Sequence, residues 1–450
     1  MNLALTRSLA LPIVSPTSPV PPTSPVPPAS PVAPTSPVSP TSSVPLTPSV
    51  PRLRGGAALR LGPLLLAPAG VSLADHRAVD GEVPTPSLAD LLALTGSAQV
   101  RGRGGAGFPF AVKLEAAASG RRPVVVVNLA EGEPASWKDS MLAGHAPHRV
   151  LDGALIAAHA LGAKEIHVVL PGHRPAVAAV MERAVRERTG LTRHGWHTHR
   201  ADARFVAGQA RAVVELLAGR PNLPVTSWQP EAISGHRRRP TLLSNAETFA
   251  HVAALVRLGG PRYAALGASG HWGTTLLTLS EFSSPVVVEV PTGTPWREVL
   301  AAEALAGPVL TGGYHGTWAA PGQLAALAVE REGMAAAGLA LGAGVVIPAL
   351  GGCPVRMTAA IVRYLAGESA GRCGPCLNGL PALAGAVDDL AALDRSPQAR
   401  SEIATLAGLV ERRGACAHPD GTARLVRSLI AACPAEVAAH ERGECTGGGA

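Results

Sequence analysis

Residues Val124–Asp139 read VVVVNLAEGEPASWKD. Four consecutive valines suit a strand covered on both faces, as parallel strands are. The run then breaks into a polar turn carrying Glu131, Glu133, Lys138 and Asp139. In open α/β sheets, ligands bind at such carboxyl edges. Just upstream lies Arg101–Lys113, RGRGGAGFPFAVK. Gly102, Gly104, Gly105 and Gly107 can take positive φ and bring backbone N–H groups close to a ligand. Consecutive N–H groups aimed into one concavity make an anion site that suits a phosphate. The pattern G-x-G-G-x-G is not the dinucleotide fingerprint G-x-G-x-x-G. The segment before it, SLADLLALTGSAQ, reads as a helix in which Ser87 and Asp90 have capping-box spacing. These residues alone fit a phosphate cradle and a plain flexible loop equally well.

From Arg101 to about Leu258 strand and helix patterns alternate. Strands are expected at Val124–Val127 and Ile166–Leu170, and helices at about His148–Leu161 and Pro175–Arg188. Such alternation implies parallel strands with helices on both faces, a Rossmann-like α/β domain. Near Trp272 a second domain begins, where GTTLLTLSEFSSPVVVEVPTGTPWREVL reads as strand, turn, strand, helix. Ala335–Cys353 reaches the length of a membrane span, but five glycines and a proline mark it as turn, buried strand around Val345–Ile347, and turn. Past Cys353 the pattern is helical: Thr358–Leu365, Ala382–Leu393, Ala399–Arg412 and Thr422–Ala432, a bundle suited to a buried cofactor.

The chain has 450 residues and a formal net charge of +7. Its Lys and Arg are scattered, so no nucleic-acid patch is expected. Ser15–Pro51 repeats a short Ser/Thr/Pro/Val unit that cannot bury a core and should sample extended conformers. The start, MNLALTRSLALPIV, lacks a cleavage site and is not read as a signal peptide. No stretch is expected to span a bilayer, so a cytoplasmic protein is expected, with peripheral association to a membrane complex still open.

Six cysteines are present: Cys353, Cys373, Cys376, Cys416, Cys433 and Cys445. Without a secretion signal they read as thiols or metal ligands rather than a disulfide framework. Cys373 and Cys376 form C-x-x-C across a Gly-Pro turn. Alone, that is a zinc half-site, a redox pair or an iron–sulfur half-site. Cys353, Cys433 and Cys445 read as structural or tail thiols. His194, His197 and His199, in HGWHTHR, have spacings that zinc could use; His145 and His148 lie apart from them. With no acidic or Cys partner in the sequence nearby, metal binding is not assigned to any of these five.

RGRGGAGFP followed by N-x-x-E-G-E-P-x-x-x-K-D resembles the flavin- and NADH-binding subunit of respiratory complex I and its relatives in soluble hydrogenases and formate dehydrogenases. The likeness runs from about Leu61 to about His440. It implies a Pro/Ser/Thr-rich tail (1–55), an FMN-binding Rossmann-like domain (56–265), a ubiquitin-like β-grasp domain (266–350), a helical iron–sulfur domain (351–441) and a flexible tail (442–450). It places FMN against Gly102, Arg103, Gly104, Gly105, Gly107, Lys113, Asn128, Glu131, Phe205, Gly208, Gln209, Ser244, Asn245 and Thr248, with Lys113 at the phosphate. It gives Phe108 and Glu133 to the nucleotide and Cys373, Cys376 and Cys416 to the cluster. No catalytic side chain is implied.

The departures from the family are specific. The first cysteine of E-S-C-G-x-C-x-P-C is Ala370 here, which leaves a [3Fe–4S] cluster, a [4Fe–4S] cluster with a non-cysteine ligand, or a lost cluster. A flavin-side carboxylate is Ala130, and a Glu expected at the nicotinamide ribose is Ala210. These losses weigh more on NADH than on FMN. The expected function is electron transfer from NADH or another reduced donor, through flavin and cluster, to a ferredoxin-like protein or a neighbouring subunit. A cofactor-depleted scaffold and a zinc-binding module using the C-x-x-C and Cys416 are the alternatives.

Overall fold

A computed structural model describes residues 64–281, 284–394 and 396–447. The proline-rich repeat and the amino-terminal MNLALTRSLALPIV lie outside the described residues. Helices α1 (Leu73–Asp80), α2 (Leu88–Ser97) and α3 (Phe110–Ala118) lead in. Ser87 caps α2 as its sequence implies, accepting from the Asp90 N–H at 3.1 Å.

The first sheet is all parallel, in the order β3 (Gly195–Ala201), β2 (Glu165–Pro171), β1 (Val124–Asn128), β4 (Thr241–Asn245). The four valines of β1 are fully buried, so both sheet faces are covered. Helices α4 (Lys138–His145), α5 (Pro147–Leu161), α6 (Pro175–Arg188), α7 (Ala210–Leu217) and α8 (Ala246–Leu258) connect and cover it, followed by short α9 (Gly260–Ala264). Helices α5 and α8 cross closely at Gly153, where a Cβ would lie 1.8 Å from the Phe249 carbonyl oxygen. No side chain fits there, so this crossing needs glycine. Asn128 and Asn245 end adjacent strands in register, which brings two sequence-distant site positions to one sheet edge.

The second sheet is mixed and five-stranded, in the order β6 (Ser284–Pro291), β5 (Thr274–Glu281), β9 (Val345–Pro348), β7 (Val309–Thr311), β8 (Thr317–Ala319). It stands where the resemblance calls for the β-grasp unit. Helices α10 (Ala302–Ala306) and α11 (Arg331–Ala336) belong to this region. The helix expected after β6 is a single 3-10 turn, Trp296–Glu298, with Trp296 fully buried. Its bulky indole closes a core under the sheet, so burial rather than helical periodicity sets this segment.

Helices α12 (Pro354–Gly367), α13 (Leu380–Ala391), α14 (Ala399–Val410) and α15 (His418–Ala432) form the expected bundle. A further helix, α16 (Pro434–Glu441), follows. Its apolar periodicity is short and broken by charge, which hid it in the sequence. Among the described residues no helix is long and apolar enough to cross a membrane.

Candidate functional site

The glycine loop is pinched at its base. Arg101 bridges Pro109, and the Gly102 N–H donates to the Phe108 carbonyl at 2.9 Å. Of the four glycines, only Gly105 (φ 103°) and Gly107 (φ 65°) use positive φ. At Gly102 and Gly104 a Cβ would make only ordinary contacts, 3.5 Å from the Phe108 carbonyl oxygen and 3.5 Å from Asn245 Cβ. The Arg103 N–H donates to Thr248 Oγ1 at 2.9 Å, and its guanidinium reaches Thr275 and the Thr274 carbonyl. Among the described residues, the N–H groups of Gly104, Gly105, Ala106 and Gly107 have no intrachain hydrogen-bond partner. Four free donors on a positive-φ loop suit an anion.

Lys113, on α3, reaches toward the end of β4. Its ammonium donates to the Leu243 carbonyl at 3.2 Å and to Glu231 at 3.1 Å, and lies 5.9 Å from the half-exposed Phe108 ring. Asn128 Nδ2 donates to the Gly208 carbonyl at 2.7 Å, and its Oδ1 accepts from the Ala130 N–H. A cavity of about 280 Å³ lies beside the loop, lined by Val100, Arg103, Tyr263, Trp272 and Arg331; Lys113 and the thiols are not part of it.

Several residues that the resemblance gives to flavin are engaged elsewhere. Glu131 is buried with both oxygens taken: it accepts from the Asp139 and Ser140 N–H groups at the start of α4, from two serine hydroxyls, and from Arg174. It caps a helix rather than facing the loop. Asn245 caps α8 through the Glu247 N–H and also bonds Lys138 and Asp139. Lys138 is 2% exposed and sits between Asp139 at 2.8 Å and Glu247 at 2.9 Å. Its two carboxylates overcome the burial that would neutralise it and hold its pKa above the ordinary lysine value. Ser244 is buried on β4 and Thr248 is fully buried, holding the loop from beneath.

The Phe205–Gly208 turn ties this edge to the helical bundle. The Phe205 N–H donates to Glu368 at 2.8 Å, and its ring packs against His315, Tyr314, Tyr364 and His418. Arg204 donates to the Ser369 carbonyl. Burial holds the Cys416 thiol above the ordinary thiol pKa, against a smaller opposing pull from the His418 N–H. The Cys373 and Cys376 sulfurs are 3.5 Å apart. Burial opposes ionisation of Cys376. The Cys373 thiol and the N–H groups of Arg372, Gly371 and Cys373 outweigh it and bring its pKa below the ordinary thiol value. Donors aimed at sulfur suit thiolates that bind iron. Ala370, three residues before Cys373, adds no donor.

The family described as the Nuo51 FMN-binding domain matches residues 96–254, which hold the glycine loop and the first sheet. That described as the NADH-ubiquinone oxidoreductase-F iron-sulfur binding region matches residues 356–440, which hold the three thiols. The F-type subunit of Salmonella typhimurium NADH-quinone oxidoreductase is 30% identical over 364 residues, covering 74% of this chain and 80% of its own. The chain belongs to the family of F-type subunits of NADH-quinone oxidoreductase. Another member, the F-type subunit numbered 2 in Rhizobium meliloti, is 29% identical over 374 residues, covering 78% of this chain and 88% of its own. An NAD+-reducing [NiFe]-hydrogenase in the H2-reduced state superposes with a TM-score of 0.70 at 26% identity, over 80% of this chain. This chain spans 63% of that hydrogenase chain.

Two side chains around the loop escaped the sequence reading, and a third was visible only within a motif. Arg331, on α11, donates to the carbonyls of Gly105 and Gly102 from more than 220 residues away, and no local pattern marks it. Glu231 pairs with Lys113 from a loop without periodicity. Glu368 is legible only as the Glu of the E-S-C motif.

The Glu133 carboxylate accepts from the Tyr314 N–H at 2.9 Å and the Ala135 N–H at 3.4 Å. Burial nonetheless raises its pKa from 4.5 to about 7, with nearby Glu131 adding to the rise. A carboxyl with a raised folded pKa stabilises the fold fully below its unfolded value and loses that contribution as pH climbs through the folded one. Between pH 4.5 and 7 the wild type should therefore lose stability relative to Glu133→Gln, by about 3 kcal/mol in all. Urea unfolding across that window checks this; parallel profiles for the two proteins refute it.

Proposed function

We propose that this chain is an electron-transfer oxidoreductase subunit that holds FMN at the glycine loop and an iron–sulfur cluster on Cys373, Cys376 and Cys416. The observation that carries the reading is the short Arg204–Gly208 bridge. Gly208 bonds the β1-end Asn128, while Phe205 and Arg204 bond Glu368 and the Ser369 carbonyl, just before the C-x-x-C segment. One short turn therefore runs from the loop edge to the segment that carries Cys373 and Cys376.

The free N–H groups of Gly104–Gly107 and the Lys113 ammonium fit an anionic phosphate, so the loop suits FMN. Gly102, Arg103, Gly104, Gly105, Gly107, Lys113, Asn128, Gly208 and Gln209 are the residues we assign to it. FMN, when bound, couples two-electron donors to one-electron acceptors. The chain's own part is to neutralise the phosphate, to fix the loop through Thr248 and Arg331, and to keep Cys376 poised for ionisation. Glu131, Ser244, Asn245 and Thr248 we assign to support rather than contact, and Phe205 to the junction with the bundle.

Three cysteine thiols supply the ligand count of a [3Fe–4S] cluster, or of a [4Fe–4S] cluster with one iron held by a non-cysteine ligand. For NADH the support is thinner. Phe108 is open for stacking, but both Glu133 oxygens accept internal N–H groups. We therefore propose NADH as one donor among reduced donors and a ferredoxin-like protein or adjoining subunit as acceptor. The scaffold reading draws on one observation, the internal pairing of Lys113 with Glu231. Protein purified without oxygen and assayed for flavin, iron and sulfide decides between them. Stoichiometric flavin and about three or four irons per chain are expected; a colourless folded protein that takes up neither overturns the proposal.

A further inference from the structure

A second side-chain cluster lies in the helical bundle among thiols that the electron-transfer reading does not use. Cys353 precedes α12, Glu436 and His440 lie one turn apart on α16, and Cys445 follows on the tail. One ligand atom from each lies within 4.8 Å of every other. The Cys353 sulfur is 3.2 Å from His440 Nε2 and 3.4 Å from Glu436 Oε1. The Cys445 sulfur is 3.4 Å from Glu436 Oε1, and His440 Nε2 is 3.2 Å from the same oxygen. Tetrahedral ligands at zinc bond lengths are separated by roughly 3.3–3.8 Å, close to these spacings.

Too many groups converge on one Glu436 oxygen. His440 Nδ1 lies 2.9 Å from the Leu390 carbonyl, which can only accept, so Nδ1 carries a proton. Its Nε2 faces Glu436 Oε1 and the Cys353 sulfur, each at 3.2 Å. That oxygen is also approached by two thiols and by the Thr446 and Gly447 N–H groups. One carboxylate oxygen cannot satisfy so many groups. A divalent ion at the centre resolves the conflict: two thiols lose their protons to solvent, and sulfur, nitrogen and oxygen lone pairs all point at one charge. A histidine that donates its other N–H to a backbone carbonyl is the usual support for a metal ligand.

The tail is shaped to deliver the fourth group. The Gly443 and Glu444 N–H groups turn back onto the His440 and Ala439 carbonyls. Gly447 packs so closely on Cys353 that a Cβ would lie 2.8 Å from its Cα.

We propose that Cys353, Glu436, His440 and Cys445 bind a structural zinc ion that clasps the tail and α16 to the start of α12. This site is separate from Cys373, Cys376 and Cys416. The test uses the full chain carrying Cys373→Ser and Cys376→Ser, so that the other thiol pocket cannot answer for it. Titrated anaerobically with Co2+ and then Zn2+, this protein should bind one ion per chain. Thiolate-to-cobalt absorption should appear and zinc should abolish it. Adding Cys445→Ser, a change on the partly exposed tail, should weaken binding at least a hundredfold while circular dichroism stays unchanged. His440→Gln should do the same, guarding against a tail effect. No uptake in the Cys373/Cys376 background overturns the proposal. So does uptake indifferent to Cys445→Ser and His440→Gln, or a Cys353–Cys445 disulfide in the anaerobically reduced protein.

Discussion

Cys376→Ser should empty the thiol pocket of iron. Cys376 is the most buried of the three thiols, and backbone N–H groups converge on its sulfur. A serine hydroxyl in that place is a far poorer iron ligand than a thiolate. With only Cys373 and Cys416 left, iron and sulfide per chain should fall at least tenfold. Flavin content should stay near the wild-type value, because Gly102–Lys113 and Asn128 are untouched. The complementary change is Ala370→Cys, which returns a fourth thiol to the position where the family pattern has one. If the native cluster has three irons, this variant should take up a fourth and lose the three-iron EPR signal of the oxidised protein. Iron content unchanged by Cys376→Ser would sink the assignment of all three thiols.

The second large effect concerns Lys113. Its ammonium is shared between Glu231 and the Leu243 carbonyl. A phosphate at the glycine loop must compete with Glu231 for that charge. Lys113→Ala removes a charge-assisted hydrogen bond worth about 1.5–3 kcal/mol, so flavin affinity should drop by roughly ten- to a hundredfold. Glu231→Gln removes the competitor and should tighten binding several-fold. The two changes thus move affinity in opposite directions, which a general loosening of the loop would not do. Flavin fluorescence quenching reads both; a Lys113→Ala protein that binds FMN as tightly as wild type ends the idea that this lysine meets the phosphate.

Much of the fold was legible because its signals are local. Four valines, a polar edge and alternating helix and strand patterns are enough to place β1, β2, α5 and α6. The capping box before α2 reads directly. The site was legible in part. Glycines and cysteines announce themselves by type and spacing, and the loop and thiols lie where the motifs put them in the chain. What the residues do was less legible. Glu131 looks like a ligand-facing carboxylate at a strand end, yet it caps α4 and pairs with Arg174. Asn245 looks free but is consumed by Lys138, Asp139 and its own helix. Those fates depend on partners brought in by tertiary packing. HGWHTHR shows the same limit. In the sequence it has no acidic neighbour, but pairing of β2 with β3 sets His167 beside His197 and His199, with Glu165 and His236 close by.

Arg331 carries one further consequence. From α11 it grips the carbonyls of Gly102 and Gly105, and also that of Gly342 in its own region. The loop that would hold a phosphate is thus latched by a side chain from the region of the second sheet. Thermodynamic reciprocity then applies. A ligand that tightens the loop, and with it the Arg331 contacts, should also raise the melting point of the protein. Conversely, any partner that pries at α11 from outside would loosen ligand held on the far side of the latch.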